Sequence, residues 1–253
     1  TAYEGLSVFS PSLVTANTTQ ISVNVMTAAI RNGVQRLVHC SSMARYGAQD
    51  TYPFTEDMIC KPQDPYGIAK YGAELLLTNL SLVHGLDLVI AVPHNIVGPR
   101  QKYDDPFRHV ASIMINLMMQ KRQPIIYGDG SQKRAFSCID DCLLPLWNAA
   151  VAPAASKQII NLGSKKEYSI LEAATILQEI VGGAQIEFLE MRHEVHAAYS
   201  THQKSEEILG YQDTITLQEG LKAMWEWAQQ QPKRNQFVWP KYELERGLYK
   251  FWK

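Results

Sequence analysis

The chain has 253 residues, 46% hydrophobic and 19% charged, with a formal net charge of −1; this composition belongs to a folded globular protein and argues against disorder. No lysine- and arginine-rich face is evident, which argues against a nucleic-acid partner and leaves room only for a small polyanion held by a few placed residues. The length suffices for one large core or two lobes.

Along the chain, residues 19–34 have helical spacing and end at Gly33, a natural helix stop. "QRLVHC" (35–40) reads as a buried strand, and the polar stretch 47–63, with Pro53 and Pro62, as a loop. Asp64-Pro65 supplies an N-cap followed by proline at the first helical position, so a helix is expected to run to Gly85. "LDLVIAVPH" (86–94) is a second apolar strand, and 107–122 an apolar helix. "PIIYGDG" is a strand and turn, "RAFSCIDDCLLPLWNAAVA" a short strand leading into a helix, and "QIINLG" (158–163) another buried strand. Ser169–Glu172 and Thr216–Glu219 are capping boxes that start two later helices, with a strand at "AQIEFLE" between them. The aromatic, basic tail "QFVWPKYELERGLYKFWK" is expected to pack as a flap. Short apolar strands alternating with amphipathic helices indicate an α/β fold with a parallel sheet, and the weaker alternation after about residue 163 indicates a smaller α+β lobe.

The four cysteines, Cys40, Cys60, Cys138 and Cys142, contain no C-x-x-C pair, so neither a disulfide framework nor a zinc site is expected and a reducing, cytoplasmic setting is the default. The apolar stretch 86–98 is too short to span a membrane and is interrupted by Pro93. The N-terminus lacks the basic and apolar regions of a signal peptide and an initiator methionine, and reads as the interior of a longer fold.

Chemistry concentrates at strand ends, where ligands bind in open α/β sheets. Ser41 and Ser42 follow the first strand, and Asn95 follows the second. Tyr66 and Lys70 lie i, i+4 on one helix and share a face. A nearby ammonium favours the phenolate of a tyrosine that would otherwise titrate near 10. A serine hydroxyl can hold an alcohol against that oxygen, so the three suit removal of a proton from an alcohol as hydride departs. Tyr-x-x-x-Lys also arises by chance and paired serines can merely cap a turn; the three roles fitting one geometry favour the catalytic reading. An arginine's planar fork suits phosphate wherever one is bound, since it bonds the oxygens in pairs. Glu56 suits loop stabilisation better than catalysis, and His193 and His196 around Glu194 do not make a trusted zinc spacing. Trp225 and Trp227 read as packing residues.

The segments "SSMARYG", "PFTEDMICKPQDPYGIAK", "PHNIVGPRQ", "IIYGDGSQKRAFSCIDD" and "RHEVHAAYSTHQKSEEILGY", in that order, resemble the extended short-chain dehydrogenase/reductase superfamily, in its nucleotide-sugar epimerase and dehydratase branch. The resemblance implies a Rossmann-like domain over 1–98 and 134–163 and a nucleotide-sugar domain over 99–133 and 164–253. It implies Ser42, Tyr66 and Lys70 as catalytic residues. Ser41, Tyr66, Lys70, Pro93 and His94 would be at the cofactor, NAD or NADP, with packing the alternative for His94. Ser42, Asn95, Tyr127, Arg134 and Arg192 would hold a nucleotide-diphosphate sugar, most simply a UDP-sugar, with the two arginines at the diphosphate and a surface ion pair with Asp140 or Asp141 the alternative for Arg134. It further implies a homodimer in which helices 19–32 and 64–84 form a four-helix bundle.

Two departures shape the functional expectation. No glycine-rich loop of the family type is found; "GDGSQK" at Gly128 has Lys133 where the third glycine belongs. After Ser42 stand Met43 and Ala44, where dehydratases of the branch carry Asp-Glu, decarboxylases use a Glu and 3,5-epimerases need a Cys. Oxidation and re-reduction at C4, a 4-epimerase reaction, is therefore expected. A dehydratase or keto-sugar reductase, and a sugar-nucleotide-binding protein without catalysis, are the alternatives.

Overall fold

Asp64 and Pro65 do start the longest helix: the Asp64 carboxylate accepts from the Gly67 amide at 2.9 Å, and Gly85, at φ +70°, ends it. The computed structural model describes residues 2–183, 185–192, 194–232, 234–235 and 238–252; His193 lies outside them. In chain order the elements are α1 (Glu4–Ser7), α2 (Pro11–Thr15), α3 (Ile21–Arg31), β1 (Arg36–Cys40), α4 (Pro65–His84), β2 (Asp87–Pro93), β3 (Ile96–Val97), α5 (Val110–Met119), β4 (Ile125–Tyr127), β5 (Lys133–Ala135), β6 (Ser137–Cys138) and α6 (Ile139–Val151). They continue with β7 (Ile159–Leu162), β8 (Glu167–Ser169), α7 (Ile170–Val181), β9 (Glu187–Leu189), β10 (Ala197–Ala198), α8 (Gln203–Leu209) and α9 (Leu217–Gln229).

The main sheet has the order β1-β2-β7 and is parallel throughout, with Cys40 opposite Ala91 and Pro93 opposite Leu162. Its middle strand is buried on both faces, as an interior parallel strand requires. Leu88, Ile90 and Val92 pack with Met26 and Ala29 of α3 and Leu77 of α4; Val89, on the opposite face, packs with Ala149 of α6 and Leu209 of α8. The period-two alternation of β2 thus separates two helical layers. A second core joins α5, α7 and α9 around Met114, Ile115, Leu177, Leu221 and Met224, alongside the short sheets β3-β6, β4-β9 and β10-β5-β8. Both capping boxes are formed.

Two elements differ from the sequence-based reading. The apolar helix starts at Val110 rather than Phe107, because Asp105 takes the Phe107 amide at 3.0 Å and the Phe107 ring joins a separate aromatic cluster. The first fifteen residues, given no secondary structure from sequence, contain α1 and α2. They are held by contact with the tail: Leu6, Phe9 and Val14 share a core with Tyr242 and Trp252.

Candidate active site

The carboxyl end of β1 meets the first turn of α4. Ser42 caps the short 3₁₀ turn Met43–Arg45, taking the Ala44 amide at 3.2 Å. Gly67 permits the close approach of α4 to that turn: a Cβ there would stand 2.6 Å from the Ala44 carbonyl oxygen. Tyr66, beside it, is buried where α4 packs on the turn that Ser42 caps. Burial pushes the Tyr66 pKa up to about 12; Ser42 opposes this, Glu4 and Asp64 reinforce it, and Arg108 opposes it.

Lys70 lies one turn along the same face, with its ammonium 6.0 Å from the Tyr66 ring centre and bonded to the Cys40 carbonyl at 2.8 Å. The lowering of the phenol that the spacing led us to expect is therefore not in place, because the ammonium turns to the strand-end carbonyl. An ammonium has three donors, and Cys40 takes one.

One turn further, Glu74 is buried. It accepts the Ser41 hydroxyl and pairs with the Arg45 guanidinium at 3.0 Å. From Arg45 polar contacts pass to the Tyr46 hydroxyl, which donates to the Asn161 side-chain oxygen at 2.8 Å; the Asn161 backbone N–H donates to Glu56 at 2.9 Å. Sequence reasoning missed Glu74, Arg45 and Asn161 as a network. The available signal was an acid eight residues after Tyr66, on the same face of an otherwise apolar helix. Glu56 holds the loop, as expected.

At the end of β2, His94 is packed into the protein, the alternative left open for it beside a cofactor contact. It is 2% exposed, stacks on His202 with ring centres 5.0 Å apart, and places Nε2 3.3 Å from the Ser200 hydroxyl. The physical reason is Gly163, whose missing side chain leaves the space His94 fills; an added Cβ would lie 2.7 Å from its Nε2. Pro93 remains at the strand end, paired with Leu162. Asn95, at φ +39°, donates its side-chain amide to the Ala135 carbonyl at 3.0 Å.

The two arginines differ in availability. Arg134 directs its terminal nitrogens to the carbonyls of Lys133, Val195 and His196 and to Glu194, at 2.8–3.2 Å. Its ion pair is with Glu194 rather than Asp140 or Asp141; Asp141 instead caps Thr214 and Ile215. Arg192 is more open: its guanidinium lies 4.2 Å from the Tyr127 ring centre, its contact with Glu194 is 3.6 Å, and its Nε is buried without a partner. Glu4 links the two ends of the region. Water reaches its side chain, yet surrounding protein raises its pKa, with Asp64 adding to the rise and Arg134 opposing it.

This arrangement can hold an alcohol at Ser42 and Tyr66 and an anionic group at Arg192. Lys70, Tyr66 and Ser42 fit the nicotinamide-ribose end of a dinucleotide through their donors, and no glycine-rich phosphate loop accompanies them in this sequence. Among the described residues no cluster of His, Cys, Asp or Glu has the form of a metal site, and no helix is long and apolar enough to cross a membrane.

Comparison with known proteins identifies the family and the fold. The family model described as the NAD dependent epimerase/dehydratase family matches residues 2–163. A UDP-glucose 4-epimerase of Mycolicibacterium smegmatis is 32% identical over 205 residues, 79% of this chain; the chain spans 64% of that relative's length. The crystal structure of a UDP-glucose 4-epimerase from Thermotoga maritima with UDP-glucose superposes with a TM-score of 0.84 at 26% identity, covering 90% of this chain and 74% of that one. A UDP-glucuronic acid 4-epimerase from Bacillus cereus, in complex with UDP-glucuronic acid and NAD, gives 0.79 at 27% identity, covering 85% and 68%. With its α/β architecture and the ordered Ser42, Tyr66 and Lys70 segment inside the matched region, the chain belongs to the NAD dependent epimerase/dehydratase family.

Proposed function

We propose that this chain carries the catalytic and sugar-nucleotide-binding part of an NAD-dependent UDP-sugar 4-epimerase. The observation that carries the reading is the packing of α4's first turn, with Tyr66, against the turn that Ser42 caps, with Lys70 one turn along, at a parallel strand's carboxyl end. The names of the relatives supply the substrate class.

NAD, when bound, supplies the hydride acceptor and then the donor at C4. Ser42 orients the C4 hydroxyl, and Tyr66 removes its proton and later returns it, with a 4-keto sugar between the two half-reactions. Burial holds the phenol protonated in the cofactor-free chain, so Tyr66 acts as base only after that proton has left to solvent and the phenolate has formed. Lys70, the cation one turn away, favours the phenolate during turnover and holds the cofactor ribose. Arg192 binds the diphosphate beside Tyr127, with Arg134 shaping the loop beneath and Asn95 contacting the sugar nucleotide. Met43 and Ala44 supply no acid or base for dehydration. The unpaired cysteines suit the cytoplasm, and the apolar outer faces of α3 and α4 suit a homodimer.

The test is conversion of UDP-glucose and UDP-glucuronate by the full protein with NAD, read as the C4 epimer by NMR. Tyr66→Phe should lower turnover by about 10²- to 10⁴-fold while UDP binding survives. Near-wild-type turnover in that variant would sink the mechanism. A 4-keto-6-deoxy product would select a dehydratase, and net consumption of reduced cofactor a reductase.

A further inference from the structure

The C-terminal strap 238–252 is built onto the site rather than trailing from it. Glu243 accepts the Ser12 and Leu13 amides, each at 2.9 Å, and the Leu244 amide donates to the Phe9 carbonyl at 2.9 Å. The strap's last described residue, Trp252, is 7% exposed. Its ring packs edge-on against Phe107 at 4.8 Å and Phe9 at 5.7 Å. It also passes over Gly5, where an added Cβ would stand 2.8 Å from the indole and 3.6 Å from an Arg192 nitrogen.

Three polar atoms converge here without hydrogen bonds: the Trp252 indole nitrogen, the Tyr127 hydroxyl and Arg192 Nε. The indole approaches the Tyr127 hydroxyl without reaching hydrogen-bond geometry, so both stay unpaired. Leaving one buried polar atom unpaired costs on the order of 1–3 kcal/mol. Three together mark a place shaped for something else. Indole and guanidinium nitrogens only donate, and the phenol can donate as well, so the missing group is rich in acceptors; beside an arginine, phosphate oxygens fit best.

We propose that Trp252 donates its indole N–H to the diphosphate of the sugar nucleotide, making the C-terminal strap a wall of the substrate site. This rests on the nucleotide-sugar reading given above. The strap then fixes where the diphosphate lies while Arg192 supplies the charge, and the indole replaces a water that would otherwise be drawn along with the ligand.

The experiment is titration calorimetry of the full protein with UDP and with inorganic pyrophosphate, in wild type and Trp252→Phe, which keeps an aromatic ring but removes the donor. Loss of about tenfold in affinity for both ligands is expected from one charge-assisted hydrogen bond. Equal affinities in the two proteins overturn the proposal and leave the functional reading standing. A wild-type protein that binds neither UDP nor a UDP-sugar overturns both. Hydrogen exchange of the wild-type strap provides a readout independent of the variant's folding: UDP should slow exchange over 239–252, and unchanged exchange there overturns the proposal.

Discussion

Arg45 and Glu74 form an ion pair at 3.0 Å in which both side chains are almost wholly removed from water, at 4% and 3% exposure. Glu74 also receives the Ser41 hydroxyl, so the pair fixes the strand end that presents Ser42. Burying two charges is costly, and their attraction and hydrogen bonds roughly offset that cost; removing one partner leaves the other buried and uncompensated. Arg45→Met should therefore destabilise by about 3–5 kcal/mol, while the double variant Arg45→Met, Glu74→Leu recovers most of the loss. A double-mutant cycle in urea measures this, and additive single effects would contradict it.

Gly67→Ala sets two effects against each other. Alanine in a helix gains about 1 kcal/mol over glycine. Here its Cβ would lie 2.6 Å from the Ala44 carbonyl oxygen, a backbone atom that cannot swing aside. Overpacking of this kind costs about 1–3 kcal/mol and is relieved by moving α4 away from the 43–45 turn. Turnover should fall at least tenfold through separation of Tyr66 from Ser42, by the penalty of misplacing reacting groups. Unchanged kcat with raised stability would show that α4 had room.

These two cases show why the site was only partly legible in the sequence. Tyr66, Lys70 and Ser42 announce themselves by local spacing and by position after a strand, and the caps at Asp64, Ser169 and Thr216 are local as well. Glu74 with Arg45, or His94 with His202, are contacts between distant segments, and neither partner signals the other along the chain. The same holds for the strap: its aromatic content suggested a flap, but that it closes on Tyr127 and Arg192 depends on Glu243 and Leu244 finding α2 and Phe9. The reach of Lys70 toward Cys40 is likewise a rotamer choice that i, i+4 spacing leaves open.

The buried histidine pair predicts acid sensitivity. Burial lowers His94 to about 3, with His202 adding to the effect, and lowers His202 to about 4, where Asp213 and Glu206 oppose and Lys165 adds. The unfolded chain protonates these rings at about 6.5, so below that pH it binds more protons than the folded chain. Their stabilising effect is complete above about pH 6.5 and is lost as pH falls toward the folded values, each ring costing about 1.4 kcal/mol for every pH unit below 6.5. The urea midpoint should fall from about pH 7 to about pH 4, and more steeply than in the double variant His94→Phe, His202→Phe. Parallel pH profiles would assign the acid sensitivity to other groups.

The outer surface of α4 carries the prediction about assembly. Ile68, Leu75 and Leu82 recur every seventh residue and are 56%, 57% and 73% exposed, flanked by Leu76 and Val83; Ile21 and Val25 of the neighbouring α3 are about half exposed. A heptad stripe of this kind on a parallel pair of helices, joined from Thr19–Ala69 at one end to Met26–Leu77 further along, is stabilising only when a second pair covers it, and burying each large side chain is worth about 1.5–3 kcal/mol. A dimer through α3 and α4 does this by symmetry, since one apolar face meets its own copy. Leu75→Glu places a charge in the middle of the stripe in each subunit, so two carboxylates confront apolar surface across one interface. Light scattering on a sizing column should show a dimer for the wild type and a monomer for Leu75→Glu, with far-ultraviolet dichroism unchanged because the residue is exposed within one subunit. A Leu75→Glu dimer would place the subunit contact on another surface, and a wild-type monomer at micromolar concentration would overturn the dimer itself.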